Sequence, residues 1–196
     1  MTLKKPPPDV PPYVSRATHA LTSSWDAFLL ASTGAPSSAG LYAVHASARG
    51  LKDLDLPPGA SLLYVGKAER NLVSRDIRTQ FTSGKTGSST LRRSLAGLLR
   101  EQLSLVGVPR NFQKPDGSAN FGLEIEGDQR LTTWMRGELG LAFWPKADRA
   151  PALKRIEKRV IWDLDPPLNL THVPEPRRDL RALRGALAAE ARGYKA

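Results

Sequence analysis

Two short apolar segments constrain the fold more than any other feature of this chain, and each carries a tyrosine and a glycine. Gly40-Leu41-Tyr42 opens a run that extends to Ala46, and Tyr64-Val65-Gly66 closes a run that begins at Ser61. Short runs rich in apolar and aromatic residues predict strands, and this pair predicts an antiparallel hairpin. If the strands are neighbours, the tyrosines belong to one site; if they are not, both are ordinary strand aromatics.

The residues that follow the second segment are types that handle phosphodiesters. Lys67 comes directly after it, and Arg75 lies on a helix predicted from about Glu69 to Phe81. A guanidinium can grip a phosphate through two parallel hydrogen bonds, although most surface arginines have no such role. A free phenol has a pKa of about 10. Nearby cations would lower that pKa, so a tyrosine here could accept a proton from an attacking water.

The charge of the chain indicates an anionic partner. There are 29 lysines and arginines against 19 acidic residues, a formal net charge of +10. Such an excess is self-repulsive unless it faces an anion, and a nucleic acid is the simplest such partner; the alternative is a merely soluble basic protein. No segment approaches the roughly 20 apolar residues that cross a bilayer. Prolines follow the first lysines where a signal peptide needs an apolar core, and cysteine is absent, so we expect a cytoplasmic protein without disulfides or thiolate metal sites.

The pattern along the chain predicts an α+β fold, a small sheet covered by helices. We expect a Pro-rich arm over residues 1–15, a main domain over 16–175 that begins with a helix at 16–32, and a basic C-terminal helix over 176–196. Further strands are expected at 121–125 and 141–144, and irregular connections at 47–60 and 107–120. Asp128 is expected to cap a helix.

Glu157 does not fit an ordinary surface position. It lies on a helix predicted from Pro151 to Leu164, four residues from both Leu153 and Ile161, and therefore on the apolar stripe. A carboxylate there needs an ion pair, hydrogen bonds or a cation. One interpretation is a rim glutamate or a partner for an arginine; the other is a ligand for Mg²⁺ or Mn²⁺ in a cleft.

Basic and hydroxyl side chains mark further candidate phosphate contacts. Cations in the first turn of a helix oppose its dipole unless an anion lies there, so the helix that begins near residue 88 predicts a phosphate site. Arginines on the C-terminal helix predict sequence-independent, salt-sensitive contacts. The candidate nucleic-acid-binding residues are Arg78, Lys85, Ser89, Thr90, Arg92, Arg93, Arg177, Arg178, Arg181 and Arg184.

Taken together, the motifs resemble the GIY-YIG nuclease family, in its restriction-endonuclease-like branch. The resemblance covers residues 38–172 and is carried in order by Gly40-Leu41-Tyr42, Tyr64-Val65-Gly66-Lys67-Ala68, Arg75, Glu157 and Asn169. It implies a three-stranded antiparallel sheet flanked by helices, and a DNA endonuclease that uses one divalent cation, Mg²⁺ or Mn²⁺.

The resemblance also implies a role for each matched residue. Tyr42 would be the general base, with Lys67 assisting it, and Tyr64 would place the water or contact the scissile phosphate. Arg75 would stabilise charge on the phosphate, and Glu157 would hold the metal. Asn169 would order the site.

Two departures from the family pattern leave alternatives open. Relatives carry a His or Tyr about one turn after the arginine, where this chain has Thr79 and Gln80, neither of which can shuttle a proton well. His45 could take over that role, although a lone strand histidine is more often structural. The connection over residues 46–60 is also longer than the usual tight hairpin. The alternative function is therefore a nucleic-acid-binding module with a weakened or inactive site, and a third is a protein-interaction role for the proline arm and basic helix.

Overall fold

The structure, a computed structural model, describes residues 12–72, 80–113, 120–147 and 150–194. The helices within these ranges are α1 (Tyr13–Thr22), α2 (Phe28–Gly34), α3 (Ala48–Asp53), α4 (Thr90–Leu98), α5 (Ile125–Glu138), α6 (Leu153–Leu164) and α7 (Arg178–Gly193). The strands are β1 (Asp26–Ala27), β2 (Gly40–Ala46), β3 (Leu62–Ala68), β4 (Gly107–Pro109), β5 (Phe121–Leu123) and β6 (Leu139–Pro145). None of the described helices is both long and apolar enough to cross a membrane.

The main sheet is antiparallel and has the strand order β1-β6-β2-β3. The predicted hairpin is confirmed, because β2 pairs with β3, and the predicted third strand is β6, on the other side of β2. The expected count of three strands is wrong by one. The two-residue β1, too short to show a period-two pattern, adds to the outer edge of β6. The α+β class is confirmed.

The register of the hairpin places the two motif tyrosines on the same face. Tyr42 lies opposite Gly66, and Val44 lies opposite Tyr64. Since successive side chains of a strand point to opposite faces, residues two apart share a face. Tyr42 and Tyr64 therefore occupy diagonal positions on adjacent strands, near the outer edge of the sheet that β3 forms.

The sheet separates two apolar clusters. One face of β2 contributes Tyr42 and Val44 to a core with residues of α2, α4 and α5. The other face contributes Leu41 and Ala43 to a core with residues of α1 and α6. Strands buried on both faces need apolar residues at consecutive positions, which explains the run Leu41–Val44 of β2.

Several predicted elements have different bounds in the structure. The helix expected at 16–32 is interrupted, because β1 pairs with β6 between α1 and α2. The connection at 47–60 contains α3, whose first turn is capped by the Ser47 hydroxyl accepting from the Gly50 amide. Residues 107–109 form β4, which pairs with β5 in a separate two-stranded sheet. Most of the helix expected at 69–81 lies outside the described residues.

Asp128 does not cap its helix, which corrects a prediction from the sequence. The N-cap position of α5 is Glu124, and Asp128 lies one turn later with its carboxylate buried. The predicted helix near residue 88 is confirmed as α4, capped by the Ser89 side chain, which accepts from the Arg92 amide. The helix predicted from Pro151 is confirmed as α6 and ends at Leu164, before the prolines.

Candidate active site

A polar pocket with a volume of about 370 Å³ lies beside β3. It brings together four of the predicted catalytic residues from three separate parts of the chain, and these are Tyr42, Tyr64, Lys67 and Glu157. The lining residues are Tyr42, Tyr64, Gly66, Lys67, Ala68, Glu69, Arg70, Asn71, Gln80, Ser88, Ser89, Thr90 and Glu157. Elements far apart in sequence thus converge, as the hairpin pattern and the position of Glu157 predict for a functional site.

Tyr42 reaches this pocket because the residue opposite it has no side chain. Tyr42 belongs to the central strand β2 and is 3% exposed, whereas the pocket lies at the edge strand β3. A Cβ atom built on Gly66 would overlap the Tyr42 hydroxyl and the ring carbon that carries it. The glycine of the second motif therefore provides the space in which the phenol crosses β3.

Gln80 contacts the phenol directly. Its side-chain amide Nε2 donates a hydrogen bond to the Tyr42 hydroxyl oxygen. An amide cannot act as a proton shuttle, in agreement with the departure noted at this position. It does favour the deprotonated oxygen, because a phenolate is a stronger hydrogen-bond acceptor than a phenol.

Tyr64 lies close to Tyr42 and interacts electrostatically with two arginines. The two tyrosine ring centroids are 6.3 Å apart, with the planes inclined by 35°. Arg93 and Arg184 both interact electrostatically with Tyr64. Burial, with the repulsion of Arg184 and Arg110, lowers the pKa of Arg93 to about 10, so the arginine is still charged at neutral pH. The tyrosine side of the pocket is therefore electropositive, which favours a phosphate.

Lys67 and Glu69 form an ion pair at the mouth of the pocket. The Glu69 carboxylate is mostly exposed, and the lysine is less so. Glu69 was not among the predicted site residues, although it lies three positions beyond Gly66 of the second segment. Its carboxylate gives the pocket a second acidic group besides Glu157.

Glu157 is half-buried on α6, between the buried residues Ile156 and Val160. The described residues contain no group of three His, Cys, Asp or Glu side chains that could enclose a metal. The oxygens that line the pocket come instead from two carboxylates, two phenols and the hydroxyls at 88–90. This donor set fits a hard cation that keeps several waters, such as Mg²⁺, and Glu157 is a residue that could hold it.

Asn169 fixes the edge strand from outside the pocket. Its Oδ1 accepts from the Val65 amide and its Nδ2 donates to the Val65 carbonyl, both at 2.9 Å. The preceding amide, of Leu168, donates to the Leu63 carbonyl at 2.9 Å. Asn169 is 4% exposed and hydrogen-bonds to the residue between Tyr64 and Gly66. Asn169 can therefore hold β3, the strand that carries Tyr64 and Gly66, in place.

Arg92 corrects a prediction from the sequence. It has no exposed surface, and its guanidinium pairs with the Asp128 carboxylate at 2.8 Å, with further bonds to Thr132 and the Gln80 carbonyl. Asp128 also accepts from the Gly84 amide. The arginine in the first turn of α4 therefore ties the residue 80–86 segment to α5 and is not available to a phosphate.

The other predicted residues of this region have distinct environments. Ser89 and Thr90 line the pocket, and Lys85 is exposed. Arg93 is buried and donates to the Gly87 carbonyl at 2.7 Å, so it supports the turn before α4 from inside. A phosphate near residues 88–90 would meet hydroxyls directly and Arg93 only through its charge. Arg75 and Arg78 lie outside the described residues.

The arginines of the C-terminal helix are partly engaged in intramolecular contacts. Arg177 pairs with Asp165, and Arg181 donates to the Leu170 carbonyl at 2.7 Å. Burial, with the repulsion of Arg181, lowers the pKa of Arg184. Of these four arginines, Arg178 and Arg181 are exposed.

His45 cannot substitute for the missing shuttle. It lies on the opposite face of the sheet from Tyr42, stacked on Trp25 at 5.7 Å. Its Nε2 donates to the Leu21 carbonyl, so Nδ1 is left to accept from the Ser61 hydroxyl. Burial lowers the pKa of His45, which favours the neutral ring. Its role is structural, the alternative noted for this residue.

An α+β fold with two phenols, a lysine and a carboxylate in one polar pocket defines a candidate phosphodiesterase. The family model for the GIY-YIG catalytic domain matches residues 48–186, more than half of the chain, and the chain belongs to this family. The family supports a nuclease-type function in general. No curated protein and no solved structure matches the chain. The match begins after β2, so Tyr42 joins the site through the register of the hairpin.

Proposed function

We propose that the protein is a metal-dependent endonuclease that hydrolyses DNA phosphodiester bonds with a water activated by Tyr42. The observation that carries this proposal is the convergence of Tyr42, Tyr64, Lys67 and Glu157 on one pocket, within a chain of the GIY-YIG catalytic domain family. Each of these side chains suits one part of a phosphoryl transfer, and few other reactions would use them together.

Tyr42 is the proposed general base. Its hydroxyl reaches the pocket over Gly66, and the Gln80 amide stabilises the oxygen once it has lost its proton. Lys67, at the next position along β3, also lines the pocket, paired with Glu69, and is proposed to assist Tyr42. The proton taken from water therefore goes to the Tyr42 oxygen as the water oxygen attacks phosphorus.

The remaining residues position the phosphate and stabilise its charge. Tyr64 donates a hydrogen bond from its hydroxyl to a non-bridging phosphate oxygen, close to the charges of the buried Arg93 and the half-buried Arg184. The hydroxyls of Ser88 and Thr90 also line the pocket, and each can turn to donate to the same group, that of Ser88 in exchange for its bond to the Lys85 carbonyl. Arg75 is proposed as a further phosphate ligand on the strength of the motif alone, and Asn169 keeps its proposed role in ordering the site.

Glu157 is the proposed ligand of a single Mg²⁺ or Mn²⁺. Such a cation supplies Lewis-acid stabilisation of the charge that develops on the leaving oxygen. The glutamate is suited to hold it because α6 packs against β3 and so fixes the carboxylate relative to the tyrosines. The exposed Arg178 and Arg181 fit contacts with the DNA backbone farther from the site. Location in the cytoplasm remains a prediction.

Cleavage of DNA by the Glu157→Gln variant tests this function. Single- and double-stranded substrates would be incubated with Mg²⁺ or Mn²⁺, and the rate of strand cleavage compared with that of the wild-type protein. We expect cleavage to fall by at least about 100-fold, because one carboxylate ligand of the metal is lost. DNA binding measured in Ca²⁺ should stay within about twofold, because the exposed cations are unchanged.

Glu175→Gln is the matched control, since Glu175 is an exposed glutamate that does not line the pocket. It should cleave like the wild type. Cleavage by Glu157→Gln at the wild-type rate would overturn the assignment of the metal ligand. Binding of DNA by the wild type without cleavage in either metal would favour the alternative, a binding module with an inactive site.

A further inference from the structure

A second pocket, of about 290 Å³, adjoins the candidate active site. It lies between the residue 84–88 segment and the β4–β5 pair. Ser88 lines both pockets, so the two spaces meet at this residue. If the scissile phosphate of a nucleic acid occupies the first pocket, its neighbouring nucleotide would therefore lie in the second pocket.

The rim of the second pocket carries two exposed cations, Lys85 and Arg110. Within the part of the chain that the structure describes, neither forms an ion pair with an acidic side chain. Asp128 also lines this pocket, but its charge is compensated by Arg92 and its oxygens accept from the Gly84 amide and nearby hydroxyls. The net field of the pocket is therefore positive, and it suits an anion.

Phe112 gives the same pocket an aromatic surface. Its side chain is 61% exposed, so the ring is open to a ligand. The ring meets Tyr194 edge to face, with centroids 6.3 Å apart and planes inclined by 66°, and this contact braces it at the surface. Unpaired bases of single strands stack on exposed aromatic rings that lie next to cations, and Phe112 has these surroundings.

The geometry points to a nucleotide-binding subsite in this pocket, which holds the nucleotide next to the scissile phosphate. The base stacks on Phe112, and Lys85 and Arg110 bind its phosphate. This inference rests on the proposed nuclease function and deepens it, because a base inside an intact duplex has both faces covered by its neighbours and cannot stack on Phe112. The preferred substrate is therefore single-stranded, flapped or locally opened DNA next to the cleaved bond.

Binding of 2-aminopurine-labelled DNA to a Phe112→Ala variant tests the subsite. Fluorescence anisotropy would give affinities for a single strand and a flapped duplex in Ca²⁺, and 2-aminopurine fluorescence would report stacking of individual bases. Loss of one stacked base should weaken binding of either substrate by roughly 5- to 150-fold. Quenching at one nucleotide in the wild-type complex should disappear, and Phe112→Trp should restore both signals.

Matched controls separate this pocket from general charge and surface effects. Ile125→Ala removes another exposed apolar side chain, and Lys52→Ala removes an exposed lysine on α3, away from both pockets. Ile125→Ala should leave affinity and quenching unchanged. The double variant Lys85→Ala, Arg110→Ala should have a shallower slope of log affinity against log salt concentration, by the equivalent of up to about two phosphate contacts. Lys52→Ala should leave that slope unchanged.

Unchanged affinity and unchanged 2-aminopurine quenching in Phe112→Ala would overturn the subsite, even if the wild type cleaves DNA. Binding of a peptide at Phe112 that DNA cannot displace would also overturn the subsite, in favour of a protein partner. Failure of the nuclease function would look different: no substrate would be cleaved, whatever the state of Phe112. The binding readouts do not depend on cleavage, so the two failures are distinguishable.

Discussion

At the scale of single residues, the site depends on one glycine as much as on the groups that would carry the chemistry. Tyr42 lies on a central strand, and its hydroxyl reaches the edge pocket only across Gly66. Protein interiors are packed too densely for a buried ring to move aside without strain. The pairing of Tyr42 with Gly66 therefore couples the two motif segments physically.

Gly66→Ala should separate activity from folding. The added methyl group overlaps the Tyr42 hydroxyl, so the ring must shift, at a cost in stability of about 1–3 kcal/mol. Displacing the general base by about an ångström should reduce cleavage on the order of 100-fold. The measurement is the cleavage rate normalised to the folded fraction from circular dichroism.

Gly185→Ala is the control for this substitution, because no atom lies within 4 Å of the added Cβ atom on α7. It should be neutral, or more stable by about 0.5–1 kcal/mol. A folded Gly66→Ala protein with wild-type cleavage would show that Tyr42 need not occupy the position described.

At the scale of elements, the edge strand β3 is held in place from both sides. On one side it pairs with β2, and on the other Asn169 satisfies both polar backbone groups of Val65. An edge strand otherwise presents unpaired amide and carbonyl groups. Asn169 thus acts on the site as a positioning residue, through the strand that carries Tyr64 and Gly66.

Asn169→Asp should loosen β3 without changing the size of the side chain. The carboxylate can still accept from the Val65 amide, but it places an oxygen against the Val65 carbonyl where Nδ2 donated. We expect the free energy of unfolding to fall by about 1–3 kcal/mol in urea titrations. Hydrogen exchange of the Val65 amide should accelerate.

Asn111→Asp serves as the comparison, because Asn111 is exposed and uses only its acceptor oxygen, on the Gln113 amide. Its stability should change by no more than about 0.5 kcal/mol. Equal effects of the two substitutions would contradict a specific role for Asn169 in fixing the edge strand.

The elements also show which features a sequence alone can predict. The hairpin, β6, α4 and α6 follow from runs and periodicities of adequate length, and the structure confirms them. The two-residue β1 has no pattern of its own and forms only because β6 offers an edge. The break between α1 and α2 has the same cause, which is tertiary and not local.

The side-chain predictions divide in a similar way. Glu157 could be identified from the sequence because a carboxylate on an apolar stripe needs an ion pair, hydrogen bonds or a cation. The structure places this residue in the lining of the pocket. Arg92 was misread because a cation in a first turn can face a phosphate or a buried carboxylate equally well. Its partner, Asp128, is on another helix, and only the packing of α4 near α5 brings them together.

At the scale of the whole molecule, the net charge of +10 is not spread evenly over the surface. Arg93 is buried and Arg184 is half-buried, and both interact electrostatically with Tyr64. Charges in such partly desolvated positions act more strongly on a nearby phosphate than exposed ones do. Composition indicated an anionic partner, and the fold concentrates part of the positive charge beside the two tyrosines.

The measurement that tests this account most directly is a double-mutant cycle on the single-turnover rate of DNA cleavage. It compares the wild type, Tyr42→Phe, Glu157→Gln and the double variant. If the phenol and the carboxylate serve one reaction in one pocket, the double variant should be little slower than the slower single variant. Rate losses that multiply, or a Tyr42→Phe protein that cleaves at the wild-type rate, would contradict it.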